Sequence, residues 1–161
     1  MATFIAGYRN FKMRHNPRVR FPIVLALFAC GAYADDLMQL DPFAQATAGY
    51  PACPEAHARM YTQDEARNQA HARAERGTRC AMEGTCEPGG AYRRDPEIND
   101  AVRAAIAADK RFANTAVWVS TSRKWVTVEG CVRSASQRKA LVKLIEAQPR
   151  VERVFDSLKL R

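Results

Sequence analysis

The chain has 161 residues, of which 47% are hydrophobic and 26% are charged, and this composition excludes a wholly disordered protein. Such a length accommodates one domain, or a small domain with an appended segment, and we expect the second. The formal charge of +8 is unevenly distributed, because all 17 acidic residues follow Ala34. The segment from Asp95 to Arg161 is basic, with 13 basic and eight acidic residues.

The first 34 residues have the features of an export signal. A basic stretch without acidic residues ends at Arg20 and precedes the apolar run Phe21 to Ala32. Ala32-Tyr33-Ala34 then forms a small-x-small cleavage site, so we predict cleavage after Ala34 and a periplasmic location. The apolar run is shorter than the roughly 20 residues of a membrane span, which predicts a peripheral protein.

Two alternatives for this signal stay open. Translation from Met13 would give a signal of more usual length. Cys30 could instead be lipidated, although the bulky Phe28 is unusual in a lipoprotein cleavage box.

Four cysteines follow the predicted cleavage site: Cys53, Cys80, Cys86 and Cys131. An even number in an exported chain predicts two disulfides, and all three pairings stay open. A zinc site would have to recruit His57 and His71 as well. Because the sequence has no Cys-x-x-Cys pair and no tight histidine spacing, we expect no metal and no cofactor.

Residues 35–94 are predicted to form a weakly structured segment with one helix. Residues 35–54 lack a period and are expected to have little regular structure. A capping box, Thr62 to Glu65, begins an alanine-rich helix that we expect to end near Arg76, with Gly77 as its terminator. Since alanine buries little apolar area, this helix needs a cross-link or a neighbouring surface.

Residues 95–161 are predicted to form an α+β domain of order helix, strand, strand, helix, strand. Asp95 is expected to cap the first helix, and a capping box at Ser134 begins the second. The hairpin Val117–Val132 lies between them, and the last strand follows Pro149. Two helices cover one face of so small a sheet, which predicts a two-layer sandwich with one face open. The predicted organisation is therefore residues 1–34 as signal peptide, 35–94 as the cysteine-containing segment and 95–161 as the domain.

Asp95 to Arg161 resembles the BON domain of bacterial osmotically inducible and nodulation-related exported proteins. The resemblance is carried by Asp95-Pro96-Glu97-Ile98, by Val126-Thr127-Val128-Glu129-Gly130-Cys131-Val132 with its motif residues Gly130 and Val132, and by Val151 to Leu158. It implies the fold predicted above, export to the periplasm, no enzymatic activity, and attachment to phospholipid or other envelope components.

The sequence departs from this family at three points. Arg123-Lys124 replaces the usual Asn-Gly or Asp-Gly, which makes a tight two-residue turn less certain. Arg150 replaces a glycine that usually precedes the last strand. The family often carries two copies of the domain, and this chain has one.

Strand alternation places Trp118, Trp125, Cys131 and Phe155 together on the open face of the sheet. In one interpretation, Cys131 bonds to one of the other three cysteines and draws the alanine-rich helix, or the loop after it, over the aromatic rings. This interpretation is favoured because large exposed aromatic patches are uncommon. In the alternative, the rings form an exposed binding patch, since tryptophan suits membrane interfaces.

Basic residues suggest a partner. The candidates for binding anionic phospholipid are Arg123, Lys124, Arg133, Arg138, Lys139 and Lys143. An envelope protein is the alternative partner, and nucleic acid is excluded because an exported protein rarely meets it. Catalysis is not predicted, because His57 and His71 have no nucleophile nearby and no carboxylates are paired at a catalytic spacing.

Overall fold

In a computed structural model, the described part of the chain is residues 36–161. The predicted signal peptide, its cleavage site at Ala34, the lipidation candidate Cys30 and the alternative start at Met13 lie outside these described residues.

Two helices form one layer of the C-terminal region. Helix α2, Asp95–Ala108, buries Ile98, Val102 and Ile106 along one stripe and is followed by a 3₁₀ turn, Lys110–Phe112. Helix α3, Ala135–Glu146, begins where the Ser134 hydroxyl accepts the N–H of Gln137 at 3.1 Å. In a full capping box, the Gln137 side chain would accept the N–H of the cap residue, Ser134. Here it accepts the N–H of the preceding residue, Arg133, at 2.8 Å.

A four-stranded sheet forms the second layer. Its strands lie in the order β2, Phe43–Ala48; β4, Ala116–Ser122; β5, Trp125–Val132; and β6, Arg153–Leu160. The pairs β2–β4 and β4–β5 are antiparallel, and β5–β6 is parallel. The predicted α+β class and the order of elements in residues 95–161 are confirmed.

The core lies between the sheet and the two helices. One contiguous cluster of apolar side chains fills it: Ile98, Val102, Ile106, Phe112, Val117, Val119, Val126, Val128, Val132, Leu141, Ile145 and Leu158. Strands β4, β5 and β6 present valine or leucine side chains to this cluster because side chains alternate between the two faces of the sheet, whereas β2 contributes only the partly buried Ala46. On the opposite face of the sheet, the N-terminal segment packs instead of helices.

Strand β2 was not predicted, so the expectation of little regular structure in residues 35–54 is wrong over Phe43–Ala48. The stretch reads Phe-Ala-Gln-Ala-Thr-Ala, in which alanine alternates with Gln45 and Thr47, but alanine is too small and too weakly hydrophobic to give a clear strand signal. Backbone pairing with β4 holds it instead, across an irregularity between Gln45 and Thr47. The N-terminal segment thereby supplies an edge strand to the sheet.

The rest of the N-terminal segment contains two short strands and a long helix. Strands β1, Met38–Gln39, and β3, Met60–Tyr61, pair antiparallel. Helix α1, Gln63–Met82, begins with the predicted capping box between Thr62 and Glu65. The prediction that Gly77 ends this helix is wrong: Gly77 is buried mid-helix, where an added Cβ would lie 3.2 Å from the Cα of Gly90. Its small size serves close packing.

Asp95 does not cap helix α2, contrary to the prediction. The cap residue is Arg94, which makes no capping side-chain hydrogen bond. The Asp95 carboxylate instead accepts the N–H groups of Arg123 and Lys124, each at 2.7 Å. These two residues form a two-residue turn between β4 and β5 with φ of 57° and 63°. The tight turn therefore forms without Asn or Gly, because a buried carboxylate binds both of its amides.

Two further family positions have a conformational reason. Gly130 has φ of 124°, and a Cβ there would lie 2.0 Å from the Ala116 carbonyl oxygen, so no larger residue fits. Arg150 adopts a left-handed φ of 67°, which explains why glycine is usual at this position.

Candidate functional site

Two disulfides organise the open face of the sheet and the segment before it. Cys53 bonds to Cys131 with the Cα atoms 5.8 Å apart, and Cys80 bonds to Cys86 with the Cα atoms 5.3 Å apart. The first bond joins the loop after β2 to the open face of β5, and the second closes the C-terminal end of α1. Of the three possible pairings, the structure adopts the one that joins Cys131 to Cys53, so the loop after β2, and not α1 or the loop after it, is anchored on the face opposite the core.

Trp118 is the covered part of this face. It is 6% exposed and packs in a second apolar cluster with Cys53, Ala116 and Cys131. Phe43, Tyr50 and Ala56 pack against that cluster. The covered-face interpretation is therefore right for Trp118, but the covering residues are β2 and the loop around Cys53. The expected cover by α1, or by the loop after it, is wrong for this ring.

The same face is open at its other end, beside the turn between β4 and β5. Trp125 and Phe155 meet edge to face with ring centroids 5.8 Å apart. Phe155 is 41% exposed and Trp125 is partly exposed, so the covered-face interpretation is wrong for Phe155. The two rings remain accessible on adjacent parallel strands.

Two arginines flank the exposed rings. The guanidinium carbon of Arg123 lies 4.5 Å from the Trp125 ring centroid, and that of Arg153 lies 5.3 Å from the same centroid. Arg153 also lies 5.8 Å from the centroid of Phe155. We call Arg123, Trp125, Arg153 and Phe155 the hairpin-end patch. Arg153 was not among the six residues predicted to bind lipid, although its position two residues before Phe155 places both side chains on one strand face.

Charges next to the hairpin-end patch are mostly neutralised, whereas those in the patch are not. Lys124 pairs with Glu152 at 3.0 Å and Arg150 pairs with Glu97 at 2.7 Å. Among the residues that the structure describes, Arg123 and Arg153 form no salt bridge. The patch therefore combines two positive charges that lack a salt-bridge partner among the described residues with one exposed and one partly exposed aromatic ring.

The six basic candidates do not form one surface. Arg138 pairs with Asp156 at 2.7 Å, and Arg133 stacks on Tyr50 with its guanidinium carbon 3.5 Å from the ring centroid. Lys139 and Lys143 are exposed on α3, which packs on the core face of the sheet. The structure places Arg123 in the hairpin-end patch, and Lys139 and Lys143 in the opposite layer.

An ion cluster lies where α2 begins. Arg94 donates to Glu87 at 2.8 Å and to Glu97 at 3.0 Å, and these bonds hold the pKa of both carboxyls below the usual value. The pKa of Asp95 is raised instead, because burial disfavours its charged form. The hydrogen bonds from the amides of Lys124 and Arg123 lower this pKa, but by less than burial raises it. The cluster links the end of the N-terminal segment to α2.

Neither histidine of the described chain lies in a catalytic arrangement. Both are exposed, and His71 lies 3.3 Å from Glu75 on the surface of α1. Within residues 36–161, no three His, Cys, Asp or Glu side chains are grouped closely enough to hold a metal ion. No helix in the same range is long and apolar enough to span a bilayer.

Comparison with protein families gives a match to the BON domain over residues 94–161. This match confirms the family that the sequence motifs indicated for Asp95 to Arg161. The comparison with curated proteins gave no match, and neither did the comparison with solved structures.

Proposed function

Because residues 94–161 of this chain form a BON domain, we propose that the protein binds the surface of anionic phospholipid membranes through the hairpin-end patch, without catalysing a reaction. BON domains are associated with envelope and membrane stress proteins. One observation supports the proposal for this surface: the exposed ring of Phe155 and the partly exposed ring of Trp125 are flanked by two arginines that form no salt bridge with any acidic side chain of the described residues.

The chemistry of the patch suits a lipid headgroup layer. Tryptophan and phenylalanine insert between headgroups, where the ring meets the acyl boundary, and arginine binds phosphate oxygens with its planar fork. Each basic residue near an anionic surface contributes roughly 1 kcal/mol, and salt screens this attraction. Two arginines and two rings therefore give weak, reversible and salt-sensitive binding, in which Lys139 and Lys143 of α3 take no direct part.

The proposed location is the periplasmic side of the envelope. Two disulfides suit an oxidising compartment, and the predicted signal peptide would direct the chain there. A peripheral role in envelope integrity or stress tolerance follows from this location and from the family.

Flotation of the oxidised full chain with liposomes tests the proposal. Vesicles containing phosphatidylglycerol and vesicles of phosphatidylcholine alone are compared at about 30 mM and about 150 mM salt. We expect flotation with the anionic vesicles at low salt, and a clear decrease at the higher salt. Flotation in no condition would remove the membrane proposal.

Three variants locate the surface in the same assay. Arg153→Gln and Phe155→Ser each change one exposed side chain of the patch, and both should reduce flotation several-fold. Lys143→Gln removes one exposed positive charge from the opposite layer and should bind like the unmodified chain. An equal loss in Lys143→Gln would contradict the assignment to the hairpin-end patch.

A protein-interaction adaptor is the second candidate. Strand β6 is an edge strand of the sheet, and an edge can accept a strand from a partner protein. Charged side chains along β6, at Arg153, Asp156 and Lys159, disfavour such pairing, which is why we place membrane binding first. Liposome flotation supplies no partner protein, so flotation would support membrane binding, and flotation in no condition would leave the adaptor as the remaining candidate.

A further inference from the structure

A polar pocket of about 430 Å³ lies between the open face of the sheet and the N-terminal segment. The sheet contributes Ser120, Ser122, Thr127 and Glu129, and the N-terminal segment contributes, among others, Arg59, Tyr61, Arg73, Arg76 and Tyr92. Its volume falls within the range of about 300 to 1,000 Å³ that is typical of small-molecule sites. We call it the arginine pocket.

Aromatic rings hold the arginines of this pocket in place. The guanidinium carbon of Arg59 lies 4.8 Å from the ring centroid of Tyr61. Arg73 and Arg76 share the ring of Tyr92, at 4.4 Å and 5.8 Å from its centroid. Stacking restrains these long side chains before any ligand arrives, and a restrained side chain loses less entropy on binding.

The pocket has an excess of positive charge. Arg73 is neutralised by Asp41, whose two carboxylate oxygens each lie 2.9 Å from its Nη2 atom. Arg59, Arg76 and Arg123 also line the pocket, and no acidic side chain of the described residues forms a salt bridge with them. Glu129 is the other carboxylate in the lining. Four guanidinium groups thus face two carboxylates.

We infer that the arginine pocket binds a small soluble molecule with at least two oxyanion groups, phosphoryl or carboxyl. Guanidinium forks bind both groups through paired N–H donors, and the sheet hydroxyls add further donors. Glu129 repels an oxyanion from its own part of the sheet wall, so the anionic groups of the ligand face Arg59 and Arg76. Both arginines lie outside the BON domain and outside the hairpin-end patch, although the pocket and the patch share Arg123.

The lining favours a soluble molecule over a whole phospholipid. Of the described residues that line the pocket, Phe43 alone lacks a polar side-chain atom. An acyl chain therefore has no continuous apolar surface to follow from the pocket. A phosphate group could come from a free metabolite or from a headgroup, and the experiment separates these sources.

Isothermal titration of the oxidised full chain tests the inference, with inorganic pyrophosphate and citrate as probes and sodium chloride of equal ionic strength as the baseline. We expect saturable binding of at least one probe. Arg59→Gln and Arg76→Gln change exposed side chains, and each should weaken that binding about tenfold, since a charged hydrogen bond is lost. Arg67→Gln is the matched control, because Arg67 lies on α1 outside the pocket lining and pairs with Asp64.

Three results would overturn the inference. The first is that neither probe binds. The second is that Arg67→Gln weakens binding as much as the pocket variants, which would indicate attraction by diffuse positive charge. The third is that Arg59→Gln and Arg76→Gln abolish flotation with phosphatidylglycerol vesicles, which would place a lipid headgroup in the pocket. If the inference holds, both pocket variants float like the unmodified chain. Arg153→Gln, which affects the membrane patch, should still bind the probe. These experiments can therefore contradict the membrane proposal or the pocket proposal separately.

Discussion

The two regions of this protein, residues 36–94 and residues 95–161, are held in place by different interactions. The C-terminal region surrounds one apolar cluster, of which Val102, Ile106 and Phe112 are fully buried. The apolar residues buried in the N-terminal region are Cys53, Tyr61 and Ala66. The Cys53–Cys131 disulfide, the pairing of β2 with β4 and the stacking of Arg133 on Tyr50 hold that region on the sheet instead. A segment without a core of its own can still be positioned if it is tied to a surface at several points.

This difference explains how one sheet face acquires two properties. The N-terminal region shields the sheet face from solvent where its apolar side chains pack closely, and this occurs around Cys53 and Trp118. Further along the face its polar side chains leave a pocket, and at the hairpin end Trp125 and Phe155 are not covered. Both of the binding sites that we propose lie on parts of the sheet face that the N-terminal region does not cover with closely packed side chains.

The largest expected effect comes from removing the bond that joins the two regions. Cys53→Ala with Cys131→Ala opens a loop whose ends are separated by 78 residues. The chain-entropy model gives a loss of about 4 kcal/mol in the free energy of unfolding, measurable by urea denaturation. Trp118 should also become accessible to acrylamide.

The second disulfide serves as the control for that experiment. Cys80→Ala with Cys86→Ala opens a loop with a separation of six residues, and the same model gives about 2 kcal/mol. Trp118 should stay shielded in this variant. If it became equally accessible, the anchoring role of Cys53–Cys131 would be wrong.

A smaller loss is expected from a change within strand β5. Gly130→Ala places a methyl group 2.0 Å from the Ala116 carbonyl oxygen at a φ of 124°, and we expect a loss of about 3 kcal/mol in stability. Gly84→Ala is the control, because φ is also positive there but no atom lies within 4 Å of the added Cβ. It should cost only about 1 kcal/mol. Equal thermal denaturation midpoints for the two variants would refute the steric explanation.

Asp95→Asn tests the turn that both the core and the hairpin-end patch depend on. One amide oxygen replaces two carboxylate oxygens, so one of the N–H groups of Arg123 and Lys124 loses its acceptor. We expect a loss of about 2 kcal/mol by urea denaturation. Asp100→Asn, an exposed position on the same helix, should leave stability unchanged within error, and a similar loss there would argue against the role of Asp95.

The smallest effect concerns the ion cluster between the regions. Arg94 lowers the pKa of Glu87 and Glu97 below the ordinary value of 4.5. A carboxyl with a lowered folded pKa adds stability above its unfolded pKa, and loses that contribution as pH falls through the folded value. Arg94→Gln should therefore be slightly less stable near pH 7, with a difference that shrinks below about pH 4.5. A difference that is constant from pH 7 to pH 3 in thermal denaturation would contradict this.

The C-terminal fold could be predicted because its sequence pattern and its packing agree. The stripe Ile98, Val102 and Ile106 and the valines of the hairpin each have the period of their element, and each is buried in the core. The role of Asp95 could not be predicted, because a helix cap and a distant turn compete for the same carboxylate. The sequence near Asp95 fits the cap, and only tertiary contact places Arg123 and Lys124 beside it.

The N-terminal region was harder to predict for a related reason. Strand β2 is held by backbone bonds to β4, and α1 continues through Gly77 because another glycine packs against it. Neither cause is local in sequence. The open-face aromatics followed from alternation along the strands, but which rings are covered depends on the pairing of Cys53 with Cys131, which the sequence left open among three alternatives.

Acrylamide quenching of the two tryptophans, each studied alone, tests the division of the open face most directly. The chain has two tryptophans, so Trp118→Phe leaves only Trp125 and Trp125→Phe leaves only Trp118. Our account predicts that Trp118 is shielded in all conditions, whereas Trp125 is quenched in solution and becomes shielded when phosphatidylglycerol vesicles are added at low salt. Equal quenching of both rings, or a Trp125 signal that vesicles do not change, would contradict it.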